Sequence, residues 1–134
     1  MKVSIITITY NSAETVEDTI QSVLAQDYPD IEYIIVDGAS KDDTLSIVNR
    51  YKDKIATIQS EPDKGIYDAM NKGVRLATGD LIGILNSDDF YADAQVISDI
   101  VKTVQSAGAD GCYADLVYVD RNEIRTHTSC RSSF

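Results

Sequence analysis

Positive charge is scarce in this chain. Twelve Lys and Arg stand against 22 Asp and Glu, for a formal net charge of −10. Nucleic acid and anionic membranes both reward Lys/Arg-rich faces, so the balance argues against either as a partner. Cysteine is equally sparse: Cys112 and Cys130 are too few for a disulfide scaffold, and their spacing is no metal motif. They read as reduced thiols of a cytosolic protein. No apolar run approaches the length of a membrane span, and Met1-Lys2 leads straight into a strand without a signal peptide's layout. The lone histidine, His127, lies in a polar tail and reads as solvated. Internal repeats and low-complexity segments are missing. The remainder is ordinary: 134 residues, 43% hydrophobic and 25% charged, enough for one domain with a real core.

Strand and helix signals alternate along the chain. Val3–Thr9, Ile31 to Val36, residues 55–59, residues 81–85 and residues 112–119 are short and rich in Ile, Val or Leu, as strands are. Between them, residues 13–26, 43–51, 66–77 and 92–107 place apolar residues at helical spacing, such as Val16, Ile20, Val23 and Leu24. Asn11 or Ser12 with Glu14, and Ser40 with Asp43, predict helix caps. Such alternation predicts an α/β fold with a doubly wound, mostly parallel sheet, whose ligands bind outside the carboxyl ends of the strands.

Three polar strand ends gather on that edge: Thr9-Tyr10-Asn11, Asp37-Gly38-Ala39-Ser40 and Ser87-Asp88-Asp89. The last follows a buried-looking strand with two adjacent carboxylates. Two like charges side by side repel, so the pair is either a solvated turn or a hard-metal site. The turn after the first strand lacks the Gly-x-Gly-x-x-Gly layout of a dinucleotide fold, and no Walker-type phosphate loop occurs.

The opening run Val3-Ser4-Ile5-Ile6-Thr7-Ile8-Thr9-Tyr10-Asn11 resembles the first strand of family 2 glycosyltransferases of the GT-A fold, as does Tyr33 through Asp42. Glu61-Pro62-Asp63-Lys64-Gly65 through Gly73 is similar to the family's third segment, and Gly79 through Asp89 to the region with its acidic metal motif. The likeness spans about the first 120 residues, in order, and is nearest to bacterial enzymes of polysaccharide and colanic-acid type assembly.

The resemblance implies a truncated GT-A nucleotide-sugar-binding core over residues 1–120, with 121–134 a polar tail that starts an acceptor-side segment. It implies a UDP- or GDP-linked sugar donor and a glycan or lipid-linked acceptor. Transfer would be metal-dependent and inverting. Thr9, Tyr10, Asn11, Asp37, Asp63, Lys64 and Asp88 would contact the donor, and Asp89 would hold Mn²⁺ or Mg²⁺. The general base would lie beyond Phe134, with Asp115 and Asp120 the weaker candidates. A binding module without turnover and a nucleotidyltransferase are the competing readings. The blander alternatives are that Asp37 only caps a helix and Lys64 is a solvated loop charge. The expected location is cytoplasmic or at the inner membrane face, with self-association through an exposed sheet edge.

Overall fold

A computed structural model describes residues 1–108, 112–114 and 130–132. They divide into two compact units. The first comprises residues 1–24 and 30–90. In it β1 (Val3–Thr9), β2 (Ile31–Asp37), β3 (Thr57–Ser60) and β4 (Leu81–Ile84) form one sheet in the order β3-β2-β1-β4, every neighbouring pair parallel. β1 pairs with β2 along its whole length, from Val3 opposite Ile31 to Thr9 opposite Asp37. Both central strands are apolar because both faces are covered. Ile5, Ile6, Ile34 and Ile35 are at most 1% exposed.

The helices are α1 (Val16–Leu24), α2 (Thr44–Asn49) and α3 (Ile66–Leu76), with a single 3₁₀ turn at Lys52–Lys54. α1 packs on α2, and α3 lies against β1 and β2. Ala69 of α3 joins Ile6, Ile8, Ile34 and Val36 in a buried cluster, with Met70, Leu76 and Ala77 packed at its margin. Sequence spacing predicts Met70, Val74 and Ala77 as the inner face. Instead Ala69 and Gly73 are buried and Val74 is exposed. The reason is close approach: a Cβ on Gly73 would stand 2.5 Å from Ile6 Cγ2. The face that meets the sheet is the one with the least side chain.

At the amino edge of the sheet, Glu32 of β2 ties β1 to the loop that enters β4. It accepts bonds from Ser4 Oγ (2.7 Å), Thr78 N (2.8 Å) and Thr78 Oγ1 (2.8 Å), and pairs with Lys2 Nζ at 3.4 Å. Burial pushes its carboxyl up, but these donors outweigh that and bring its pKa down to about 2.

The second unit comprises residues 25–29 and 91–134. Its helix α4 (Val96–Ala107) buries Val96, Ile97, Val101 and Val104 and ends at Gly108, which has the positive φ of 59° usual after a helix. Asp27 N donates to Ala94 O (2.8 Å), and Ile97 N donates to Gln26 Oε1 (3.0 Å). β5 (Cys112–Ala114) pairs antiparallel with β6 (Cys130–Ser132), a strand that the polar tail does not advertise. Asp115, Tyr118, Asp120 and His127 lie outside the described residues.

Candidate functional site

Four loops leave the carboxyl edge of the parallel sheet and enclose an open cleft of about 1060 Å³. Its wall takes Tyr10, Asn11 and Ser12 from the loop after β1, and Gly38, Ala39, Lys41 and Asp42 from the loop after β2. Pro62, Asp63 and Gly65 come from the loop after β3, and Asn86, Ser87 and Asp88 from the loop after β4. The start of α1 contributes Glu14 and Thr15. Among the described residues carboxylates thus outnumber cations: the lining holds Glu14, Asp42, Asp63 and Asp88 beside one basic residue, Lys41.

Thr9 and Asp37 do not line the cleft. Both are fully buried beneath it. Asp37 Oδ1 accepts from Thr9 Oγ1 (2.7 Å) and Ser40 Oγ (2.5 Å), and Oδ2 accepts from Ser40 N (2.9 Å) and Ser60 Oγ (2.8 Å). A carboxylate has about four acceptor positions, and four donors take them here. Burial pushes the carboxyl up, but the bonds from Ser40, Thr9 and Ser60 hold it below the usual range. Thr9 and Asp37 thus form a brace that joins the ends of β1, β2 and β3 beneath the cleft. This brace does not cap a helix. At the start of α2 it is Asp42 Oδ1 that accepts from Thr44 N (3.0 Å), while Asp43 makes no side-chain cap.

Tyr10 and Asn11 do reach the cleft. Tyr10 is 60% exposed, an uncovered ring at its wall. Asn11 has a φ of 48° and Ala39 a φ of 60°, so the chain turns left-handed after both central strands. The two turns are stitched together. Asn11 N donates to Ser40 Oγ (2.8 Å), and Lys41 N donates to Asn11 Oδ1 (2.8 Å). This cross-tie replaces the helix cap expected of Asn11.

Asp63 lies against the β2 turn. A Cβ on Gly38 would meet Asp63 Oδ2 at 2.6 Å, so glycine makes the room for that carboxylate. Asp63 Oδ1 accepts from Gly65 N (3.0 Å). The loop is clamped from α3 by Lys72, which donates to Pro62 O (3.1 Å) and pairs with Glu61 (3.0 Å) and Asp68 (3.6 Å). Lys64 is exposed and outside the lining, with its backbone N–H on Asp68 Oδ2 (3.0 Å).

After β4 the chain makes one further sheet bond, Leu85 N to Ile6 O (2.9 Å), then turns through Asp89 N to Asn86 O (3.0 Å). Asp88 is exposed and lines the cleft, whereas Asp89 sits beside it, partly buried and outside the lining. Burial first, and the charge of Asp88 second, push the Asp89 carboxyl up, against a hydrogen bond from Asn86. Asn86 Oδ1 is buried without a hydrogen-bond partner. Two crowded carboxylates and an orphaned amide oxygen form an oxygen donor set that a hard divalent cation would satisfy. Among the described residues no cluster of three or more His, Cys, Asp or Glu could hold a metal by itself. The pair would thus need phosphate or water to complete a coordination shell.

Fold and cleft together define an α/β protein with an acidic, oxygen-rich cleft at the carboxyl ends of parallel strands. The family description "Glycosyl transferase family 2" matches residues 4–131, and the chain belongs to that family. An uncharacterized glycosyltransferase of Mycobacterium tuberculosis is 40% identical over 107 residues, covering 79% of this chain and 41% of the relative. The Escherichia coli UDP-Glc:alpha-D-GlcNAc-diphosphoundecaprenol beta-1,3-glucosyltransferase WfaP is 39% identical over 99 residues, covering 73% and 39%. S. aureus TarS 1-349, solved with UDP-GlcNAc, superposes with a TM-score of 0.75 at 27% identity, covering 81% of this chain and 32% of that one. The mannosyltransferase PcManGT of Pyrobaculum calidifontis, solved with GDP-Man and Mn²⁺, gives 0.72 at 31% identity, covering 77% and 32%. The sheet is that of the GT-A fold. The chain spans about two fifths of the length of the curated relatives it matches.

Proposed function

We propose that this chain carries the donor half of a nucleotide-sugar-dependent glycosyltransferase, with a divalent metal bridging the donor diphosphate to the acidic loop. The observation that carries this is the cleft itself: an acidic wall that a diphosphate would enter only with a cation between them. Family membership and the nucleotide complexes of TarS and PcManGT support it.

Tyr10 offers a ring face for the base, and Asp63, held against Gly38, offers an acceptor for base or ribose donors. Asn11 fixes the turn on which Tyr10 stands. Asp88 and Asp89 would hold Mn²⁺ or Mg²⁺, with Asn86 Oδ1 a spare oxygen on the same turn. When bound, the ion supplies neutralising charge for the departing diphosphate. Inversion by direct displacement would need a carboxylate base on the acceptor side, and the cleft acids described here are assigned to the donor. A glycan or lipid-linked acceptor and a place at the inner membrane face are part of the same reading. Among the described residues no helix is long and apolar enough to cross a membrane.

Calorimetric titration with UDP and GDP, each with Mn²⁺, Mg²⁺ or EDTA, tests the proposal. It requires metal-enhanced binding of at least one nucleotide, lost in Asp88→Ala. A folded sample that binds neither nucleotide with either metal refutes it.

A further inference from the structure

On α1 the buried residues Val16, Ile20 and Val23 make an apolar stripe, yet Thr19 lies on it at the spacing where another aliphatic would pack. Thr19 is 1% exposed. Its hydroxyl stands 2.9 Å from Ser87 O and 2.5 Å from Asp89 O, and 3.5 Å from Thr15 O of its own helix. The short contacts are thus to the acidic loop, 68 and 70 residues away in the chain, and bracket Asp88. A second tie runs from the loop entering α1, where Ser12 Oγ and Ser87 Oγ are 2.7 Å apart.

We propose that Thr19 is a positioning residue for the metal-binding loop. Its single proton, shared between the carbonyls of Ser87 and Asp89, sets the curvature that presents Asp88 to the cleft and keeps Asp89 beside it. This rests on the donor-site reading above. A carboxylate pair coordinates a cation only if both oxygens are held near one point, and partners that orient such ligands are worth about 10–100-fold in metal affinity. A hydroxyl does this where a methyl cannot, because without it the two carbonyls lose a buried donor.

Thr19→Val keeps the shape and removes the donor; Thr19→Ser keeps the donor. Amide hydrogen exchange is measured on both, and GDP and UDP titrations are run with Mg²⁺ and with EDTA. Thr19→Val should speed exchange of the Asp89 amide about tenfold while leaving β1 and β2 protected. It should weaken nucleotide binding in Mg²⁺ about tenfold and leave binding in EDTA unchanged. Thr19→Ser should restore both. Equal loss with and without metal, uniform loss of protection across the sheet, or no change in Thr19→Val overturns the proposal. A wild-type protein that shows no metal-enhanced binding overturns the donor-site reading and this proposal with it. A wild type that binds, beside a Thr19→Val that binds equally well, overturns this proposal alone.

Discussion

Asp89 and Glu32 are carboxylates shifted in opposite directions, and each shift has a consequence that can be measured. The Asp89 carboxyl is pushed up, so holding it ionised costs the folded protein stability above that raised pKa, and the cost fades as pH falls through it toward the ordinary carboxylate value. Asp89→Asn should therefore raise the thermal midpoint at pH 7, by less than about 1 kcal/mol in stability, and lose that advantage in acid. The same change should weaken Mn²⁺-dependent nucleotide binding. Stability and function pull apart here, as they do at metal sites whose metal is what relieves the repulsion. Glu32 is the reverse. Its stabilising contribution is complete above pH 4.5 and is lost as pH falls toward about 2. Glu32→Gln should cost about 2 kcal/mol at pH 7 by urea denaturation and flatten the acid limb of the stability profile. At Gly38 an added methyl group should displace Asp63, so Gly38→Ala should weaken nucleotide affinity more than it weakens the fold. Comparing calorimetry with urea midpoints separates the two.

Among the elements, α3 shows best what spacing can and cannot reveal. Its extent was legible, residues 66–77 against the observed Ile66–Leu76. Its inner face was legible only in part: Met70 and Ala77 do pack on the core, but periodicity counts large apolar residues while this helix approaches the sheet through Ala69 and Gly73. Gly73→Ala should cost about 2 kcal/mol in denaturant unfolding, because the added carbon meets Ile6 Cγ2 within a core that cannot yield. The parallel strands and the gathering of their carboxyl ends were legible from short aliphatic runs and turn residues. Which strand-end residues face solvent was not. Thr9 and Asp37 stand at the edge, as expected, and there the Asp37 carboxylate takes bonds from four donors that the sequence does not reveal. Asn86, Gly38 and Thr19 were overlooked for a related reason: an amide, a glycine and a threonine signal little until their neighbours are known. A polar residue inside an apolar helical stripe was the one available clue to Thr19.

For the whole molecule the acidity acquires a meaning that composition alone does not give it. Part of the charge of −10 gathers in one place: Glu14, Asp42, Asp63 and Asp88 line the cleft that we propose takes a diphosphate-linked donor. In that proposal a divalent cation would reconcile the two. Ile82 and Ile84 on the edge strand β4 are 41% and 44% exposed, an apolar patch on a strand edge. Ile82→Thr together with Ile84→Thr should reduce any concentration-dependent association seen by sedimentation, without changing nucleotide affinity.

Chemical-shift mapping by NMR, adding GDP or UDP with diamagnetic Mg²⁺ to the labelled protein, tests the central claim most directly. The account predicts that the largest shifts fall on Tyr10, Asn11, Gly38, Asp63, Asn86 and Asp88, and that EDTA collapses those of the last two. Shifts confined to other surfaces, or a nucleotide response at the cleft that is indifferent to metal removal, would contradict it.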